Sequence, residues 1–441
     1  MSAPANHVDG RADELVDGRI HERVHGLDAL RAFALLLGIL LHSTMPYVLP
    51  PGMWAIGTTQ PSMVLGLVAF YVHSFRLELF FLLAGYFGAL VIARRGAIAY
   101  LRDRATRILL VFIVALYPMK FVLAALWITG GRQTGWLKLP PAVASLSWFE
   151  LSLGSFAMET WPAVALTHLW FLYYLACLSA MFLAARWLVL DRAAAPRWTF
   201  VARLARALDA GFRAVISSRL APVALAVAVT PLLTMMQGMD IDTPDGSFAW
   251  HLPVMTLYAC CFALGWLLSR QTELLSGALS ARWKGFLLTG LVAALVASTG
   301  VGMRYAGGEW VTMHATALRW ATSFGTSLTM MASVLGWMGC FVRLFGHESA
   351  RIRYVADASY WIYIVHLPIV VGLQLLLAGS GMPWWIQVPL VNIVTFTLLL
   401  ATYHACVRFT WVGAWLNGRR RTRYAAPDTG IASGSACERL P

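Results

Sequence analysis

Ten stretches of this chain are apolar over lengths that suffice to cross about 30 Å of hydrocarbon, and that property removes most folds from consideration. Lipid offers no water to an unpaired backbone N–H or C=O, so a crossing segment must be an α-helix or part of a closed barrel. Barrel strands alternate apolar and polar residues, whereas these runs are continuously apolar. The expected fold is all-α: a polytopic integral membrane helix bundle of about ten transmembrane helices, near 33–49, 63–92, 108–128, 168–190, 222–236, 252–269, 285–301, 315–341, 355–377 and 385–407.

Hydrophobic residues make up 59% of the chain and charged residues 12%, a balance foreign to a soluble domain. The net charge of +13 would suit nucleic acid, but its placement says otherwise. Arginine and lysine crowd alternate connections: Arg94 to Arg107, Arg186 to Arg219, Arg270 to Lys284, and Arg343 to Arg353. The opposite connections hold only Arg132, Lys138 and Arg304, together with Asp240, Asp242 and Asp245. By the positive-inside rule the first set is cytoplasmic, and an even number of spans then places both termini inside. The expected organisation is a cytoplasmic arm over 1–28, a membrane domain over 29–411 with a cytoplasmic basic loop at 191–219, and a disordered tail over 412–441.

No small-residue cleavage site follows the first span, which is expected to remain as an anchor. The six cysteines show no metal spacing and read as buried small hydrophobes. No internal repeat is evident, which counts against an inverted-repeat transporter. A stripe of Val201, Leu204, Leu208 and Phe212 opposed by Arg203, Arg206 and Arg213 suits a helix lying on an anionic leaflet, or a basic tether.

Polar residues inside the apolar runs carry the functional signal, because ionisable groups at such depth are costly. Arg31 precedes His42 by eleven residues in GLDALRAFALLLGILLHS. On a helix that spacing returns to the same face within about 20° and rises about 16 Å. The second span carries His73, Arg76 and Glu78; the fourth opens with His168 and Trp170; the ninth has Ser359, Tyr363 and His366 at helical spacing. Counting from the outer boundaries puts His42 and His73 at comparable depths. Arg104 and Arg107 sit three apart at the cytoplasmic mouth of the third span, where Arg31 also lies. Three guanidinium groups there would make a phosphate clamp, and positive-inside retention is the plainer explanation. The outer loops collect Trp136, Trp148, Glu150, Glu159 and Trp161, and RYAGGEW groups Arg304, Glu309 and Trp310. Aromatic platforms beside carboxylates suit sugar rings; an interfacial aromatic belt is the competing explanation. Neither HExxH nor paired cysteines occur, so no metal is expected. Proton-coupled transport is the competing activity, since it uses the same intramembrane residue types.

Five motifs, in this order, resemble the membrane-bound acyltransferase 3 family: Arg31 with His42, FFLLAGYF at 80–87, Arg104 with Arg107, HLWFL at 168–172, and SYWIYIVHLP at 359–368. The resemblance covers about 27–407, and within the family the chain looks most like the group that succinylates osmoregulated periplasmic glucans, through HSFRLELFFLLAGYF, RYAGGEW and ASYWIYIVHLP. It implies an O-acyltransferase of the bacterial inner membrane, using acyl-CoA (succinyl-CoA or acetyl-CoA) as donor substrate and a periplasmic glycan hydroxyl as acceptor. O-antigen and exopolysaccharide are the alternative acceptors. No tightly bound cofactor is implied. The partners expected are acyl-CoA, the glycan and the lipid bilayer, with a second copy of the chain or glycan-synthesis proteins as further candidates, and no nucleic acid. Arg31, Arg104 and Arg107 would hold the coenzyme A phosphates. His42 would act as general base or acyl carrier, with Tyr363, His366 and Arg76 as donors to the thioester oxyanion and Glu78 orienting a histidine or balancing Arg76. His73, His168, Trp170, Ser359, Arg304, Glu309 and Trp310 would support the site or the acceptor.

Overall fold

The computed structural model describes residues 9–50, 52–57, 60–189, 199–238 and 240–418. Among them there is no β-strand, and the long helices are α1 (Asp9–Thr44), α2 (Met63–Arg104), α3 (Leu110–Thr134), α4 (Trp148–Ala157), α5 (Trp170–Val189), α6 (Thr199–Ser217), α7 (Ala221–Thr234), α8 (Leu252–Ser269), α9 (Ser280–Ala306), α10 (Ala315–Leu344), α11 (Ala350–Leu377) and α12 (Trp384–Thr402). A helix stands at each of the ten expected places. Among the described residues, eight helical stretches are long and apolar enough to cross a membrane, or nine if the bent pair α6–α7 is one span.

One of the eight, Met63–Thr134, runs for 72 residues, which as a straight helix would measure about 108 Å. It folds back instead. Gly96 takes φ 81°, open to glycine at no steric cost, and breaks α2 near its end. The start of α2 is tied to the turn after α1 by the Ser62 amide on the Tyr47 carbonyl at 3.1 Å. The far end of α3 returns to that same region, with Gly130 packed on the Ala55 carbonyl and Trp136 Nε1 donating to it at 3.1 Å. The expected fifth span, α7, is only 14 residues long and meets α6 at 118°.

Small residues let the helices approach, as expected where lipid gives no hydrophobic drive between them. Gly325, Gly336 and Gly339 of α10 each face α9 or the turn that leads into it so closely that a methyl group would strike Ala297, Leu287 or Leu279. Gly85 of α2 and Gly265 of α8 do the same for each other's helix, against the Phe262 and Leu82 carbonyls.

Two of the expected domain ends, at 28 and 411, fall within helices. Helix α1 runs unbroken from Asp9 through position 28, so the arm has no structural boundary there. Residues Trp411–Asn417 are helical and not disordered, because Gly413 and Leu416 are buried and Trp415 Nε1 donates to the Thr106 carbonyl at 2.7 Å. The rest of the tail, residues 1–8, positions 191–198 of the basic loop and the side chain of Val201 lie outside the described residues. In α6, Phe212 is buried while Leu204 and Leu208 are exposed, so among the described side chains of the apolar stripe only Phe212 is covered by protein.

Candidate active site

Helix α1 ends where its backbone is stapled from outside. Gln374 of α11 donates through Nε2 to the His42 carbonyl at 3.0 Å, while its Oε1 accepts from Trp54 Nε1 at 2.9 Å. Asn392 of α12 donates to Ser43 Oγ at 2.7 Å. The Gln374 bond satisfies a carbonyl that the last turn of a helix leaves open, and with the Asn392 bond to the Ser43 side chain it holds the end of α1 that carries His42. Its ring lies parallel to Trp54 (centroids 5.7 Å apart, 10°) and 5.2 Å from the ring of His366. Its Nδ1 is buried without a hydrogen-bond partner among the described residues.

A proline sets the next histidine. Pro368 has no N–H, so the carbonyl four residues back, Ile364, loses its helical partner. His168 takes that place, with Nε2 3.0 Å from the Ile364 oxygen. A carbonyl only accepts, so Nε2 carries the proton and the buried, unpartnered Nδ1 keeps its lone pair. By the same reasoning His366, whose Nδ1 lies 2.7 Å from the Tyr363 carbonyl, keeps a lone pair on its buried Nε2. The His168 and His366 rings are 5.3 Å apart. Tyr363 closes the arrangement by donating its hydroxyl to the His168 carbonyl at 2.7 Å. Thr167, just before His168, takes φ 52°, a left-handed backbone that a β-branched residue adopts only under strain of about 1–3 kcal/mol.

Arg76 reaches this group through a gap left by glycine. Had Gly38 a Cβ, it would lie 2.6 Å from Arg76 Nη1 and 3.5 Å from His366 Nε2. Arg76 Nε is buried and has no hydrogen-bond partner among the described residues. Glu78 does not neutralise it directly: two residues along a helix point to opposite sides. Glu78 is wholly buried, its carboxylate oxygens have no hydrogen-bond partner among the described residues, and it does not line the cavity that Arg76 lines.

That cavity holds about 1470 Å³ and is bounded by His42, His73, Arg76, His168, Tyr363 and His366 among others. It is larger than the usual ~300–1,000 Å³ of a small-molecule site. Trp170 also lines it, and Phe80, Phe171 and Tyr363 pack as a chain of rings along its wall. One boundary is the connection between α7 and α8. His73 Nε2 lies 2.9 Å from the Ile241 carbonyl, while Asp242 accepts from the Gln237 and Gly238 amides and pairs with His251 at 3.2 Å. Among the described residues no group of three His, Cys, Asp or Glu side chains is placed to hold a metal.

The remaining sequence candidates are dispersed. Ser359 is buried and donates to the Ala356 carbonyl at 2.7 Å, away from the cavity. From RYAGGEW it is Tyr305 that lines the cavity; Arg304 bonds Thr322 Oγ1 at 3.2 Å, and the exposed Trp310 stacks on His314 at 4.5 Å, with Glu309 beside it. Glu150 serves the capping box of α4 with Ser147, whose amide and hydroxyl hold its carboxyl below the usual range. Arg31 pairs with Asp28 at 3.4 Å and Arg107 with Asp103 at 3.0 Å. Arg104 immediately precedes a π-helical turn, Ala105–Leu109, and Arg107 lies within it, so they do not share the regular helical face that their spacing suggests. Tyr360, one turn from Tyr363, donates to the Arg107 carbonyl at 2.5 Å, and Arg104 covers the ring of Tyr100 at 4.9 Å. None of the three arginines lines the cavity. Sequence reading missed Gly38, Trp54, Lys120 and Gln374. A lysine inside the apolar third span, at position 120, was the one visible signal among them.

Residues 24–404 match the acyltransferase domain family called acyltransferase 3. Glucans biosynthesis protein C of Shigella dysenteriae serotype 1 is 25% identical over 364 residues, covering 79% of this chain and 82% of that protein. The proteins of that name from Escherichia coli O157:H7 and Escherichia coli O9:H4 (strain HS) are 24% and 25% identical over the same shares. No solved structure matches the chain. A helical bundle rich in membrane-spanning segments, matched from residue 24 to residue 404, therefore belongs to the acyltransferase 3 family and is a membrane acyltransferase.

Proposed function

We propose that the protein moves an acyl group, succinyl or acetyl, from cytosolic acyl-CoA to a hydroxyl of a periplasmic glycan, in the bacterial inner membrane with both termini inside. The observation that carries this reading is the meeting of His42, His168 and His366 beside Arg76 in one large cavity. The relatives' name, glucans biosynthesis protein C, makes a glucan the first acceptor to test.

In this reading His42 accepts the proton of a sugar hydroxyl as its oxygen attacks the thioester carbonyl carbon. Arg76, which lines the cavity, stabilises the resulting oxyanion. Collapse breaks the carbon–sulfur bond, the ester stays on the sugar, and the imidazolium returns its proton to the leaving thiolate. The donor enters from the arginine-rich end, with its phosphates at Arg31, Arg104 and Arg107. The cavity reaches Leu35, four residues or about 6 Å of helix rise from Arg31, which is the gap the donor has to bridge along α1.

Mass spectrometry of periplasmic glycans from cells with and without the protein tests the reading, because the mass difference names the transferred group. A succinyl or acetyl increment that vanishes with His42→Ala, at normal protein level, is the expected result. Loss of a general base lowers the rate by about 100-fold to 10,000-fold. Unmodified glycans in cells with abundant wild-type protein would refute it, and so would full modification by His42→Ala.

A further inference from the structure

The cavity has a second polar group that the transfer step does not use. Lys120, inside α3 and only 6% exposed, pairs with Glu159, which lies just beyond α4. Its ammonium also sits 5.2 Å from the ring of Phe156. Burying the Lys120 ammonium is costly for stability alone, whereas Glu159 keeps about a quarter of its side chain exposed and so leaves the pair open to a ligand. Both residues line the cavity. Leu123, Ala124 and Trp127 follow Lys120 on the same α3 face, at the three, four and seven spacing of one side of a helix, and they line it as well. Trp127 is half-buried and stands edge-on to Trp54 at 5.1 Å, and Trp54 in turn is stacked on His42. A strip about 10 Å long on α3 therefore carries an aromatic plane at one end and a donor–acceptor pair at the other.

We propose that this strip is the acceptor subsite, in which Trp127 takes the apolar face of a sugar ring and the Lys120–Glu159 pair grips neighbouring hydroxyls of the same glycan. The inference rests on the glycan reading above. The pair is neutral as a unit, so it favours an uncharged polyhydroxyl: an ammonium donates, a carboxylate accepts, and a hydroxyl does both. An anionic sugar would have to compete with Glu159 for Lys120.

The test uses purified full-length protein in lipid nanodiscs, a neutral β-gluco-oligosaccharide as probe and the matching glucuronic acid oligomer as anionic control. Calorimetry should show the neutral probe bound in preference to the anionic one. Trp127→Ala, through loss of the stacking platform, and separately Lys120→Met with Glu159→Met, through loss of hydrogen bonds to charged groups, should each weaken it about tenfold or more. Coenzyme A affinity and the thermal midpoint, read on the same samples, report whether the variants are folded. Undiminished oligosaccharide binding by Trp127→Ala, which leaves the ion pair intact, overturns the subsite even if the double variant fails to fold. Equal or tighter binding of the anionic oligomer overturns it too. Wild-type protein that binds neither oligomer, yet cleaves acyl-CoA, refutes the glycan reading instead.

Discussion

At the scale of single residues the site depends on space as much as on chemistry. Gly38 is the clearest case, because a methyl group there meets the tip of the Arg76 side chain and no backbone. The tip can move, so Gly38→Ala should cost little stability while displacing the guanidinium from His366. The expected outcome is a fall in transfer of at least about tenfold, the worth of one charge-assisted hydrogen bond, with an unchanged thermal midpoint. An assay of transfer beside a thermal scan checks both halves. Full activity in a stable Gly38→Ala protein would show that Arg76 need not sit where it does.

At the scale of elements, the motif ending in His366 and Pro368 is a positioning device whose product is on another helix. Pro368→Ala restores an N–H that bonds the Ile364 carbonyl within α11, and His168 must then share or lose its acceptor. Helix α11 should become no less stable. Transfer should fall about fivefold to tenfold, matching one hydrogen bond of about 1 kcal/mol, with the loss in kcat and not in donor KM. A donor-KM effect alone would deny Pro368 this role. The π-helical turn between α2 and α3 makes a separate prediction. Arg104→Ala and Arg107→Ala should weaken binding of coenzyme A more than binding of pantetheine, which lacks the nucleotide phosphates. Equal losses for the two ligands, measured on purified protein, would remove the arginines from phosphate recognition.

At the scale of the whole molecule, the two ends of the bundle differ in chemistry. The end with Arg104 and Arg107 also gathers Tyr360 and Trp415, whereas the connection carrying Asp240 and Asp242 bounds the cavity at another place. Reporter fusions after position 418 should be active only in the cytoplasm, and fusions near Asp242 only in the periplasm. Both reporters on one side would invert the proposed route from donor to acceptor.

What could be read in the chain alone was whatever lipid imposes locally. Each crossing segment must satisfy its own backbone, so helices were legible from hydropathy, and the shared face of Arg31 and His42 followed from the helical repeat. The same arithmetic turns Arg76 away from Glu78. Chain-order motifs also led to the family. Only the tertiary structure decided which polar groups meet, because lipid-embedded partners are chosen by packing between helices distant in sequence. Lys120 meets Glu159 across 39 residues, His168 meets Ile364 across 196, and Trp54 meets Gln374 across 320. RYAGGEW shows the converse: seven consecutive residues looked like one surface, yet helix α9 ends inside them and sends Tyr305 to the cavity while Trp310 stays outside. Spacing along one helix fixes a direction, but a site needs several directions to converge at one point, and that depends on how closely glycines such as Gly38, Gly85 and Gly265 let the helices approach.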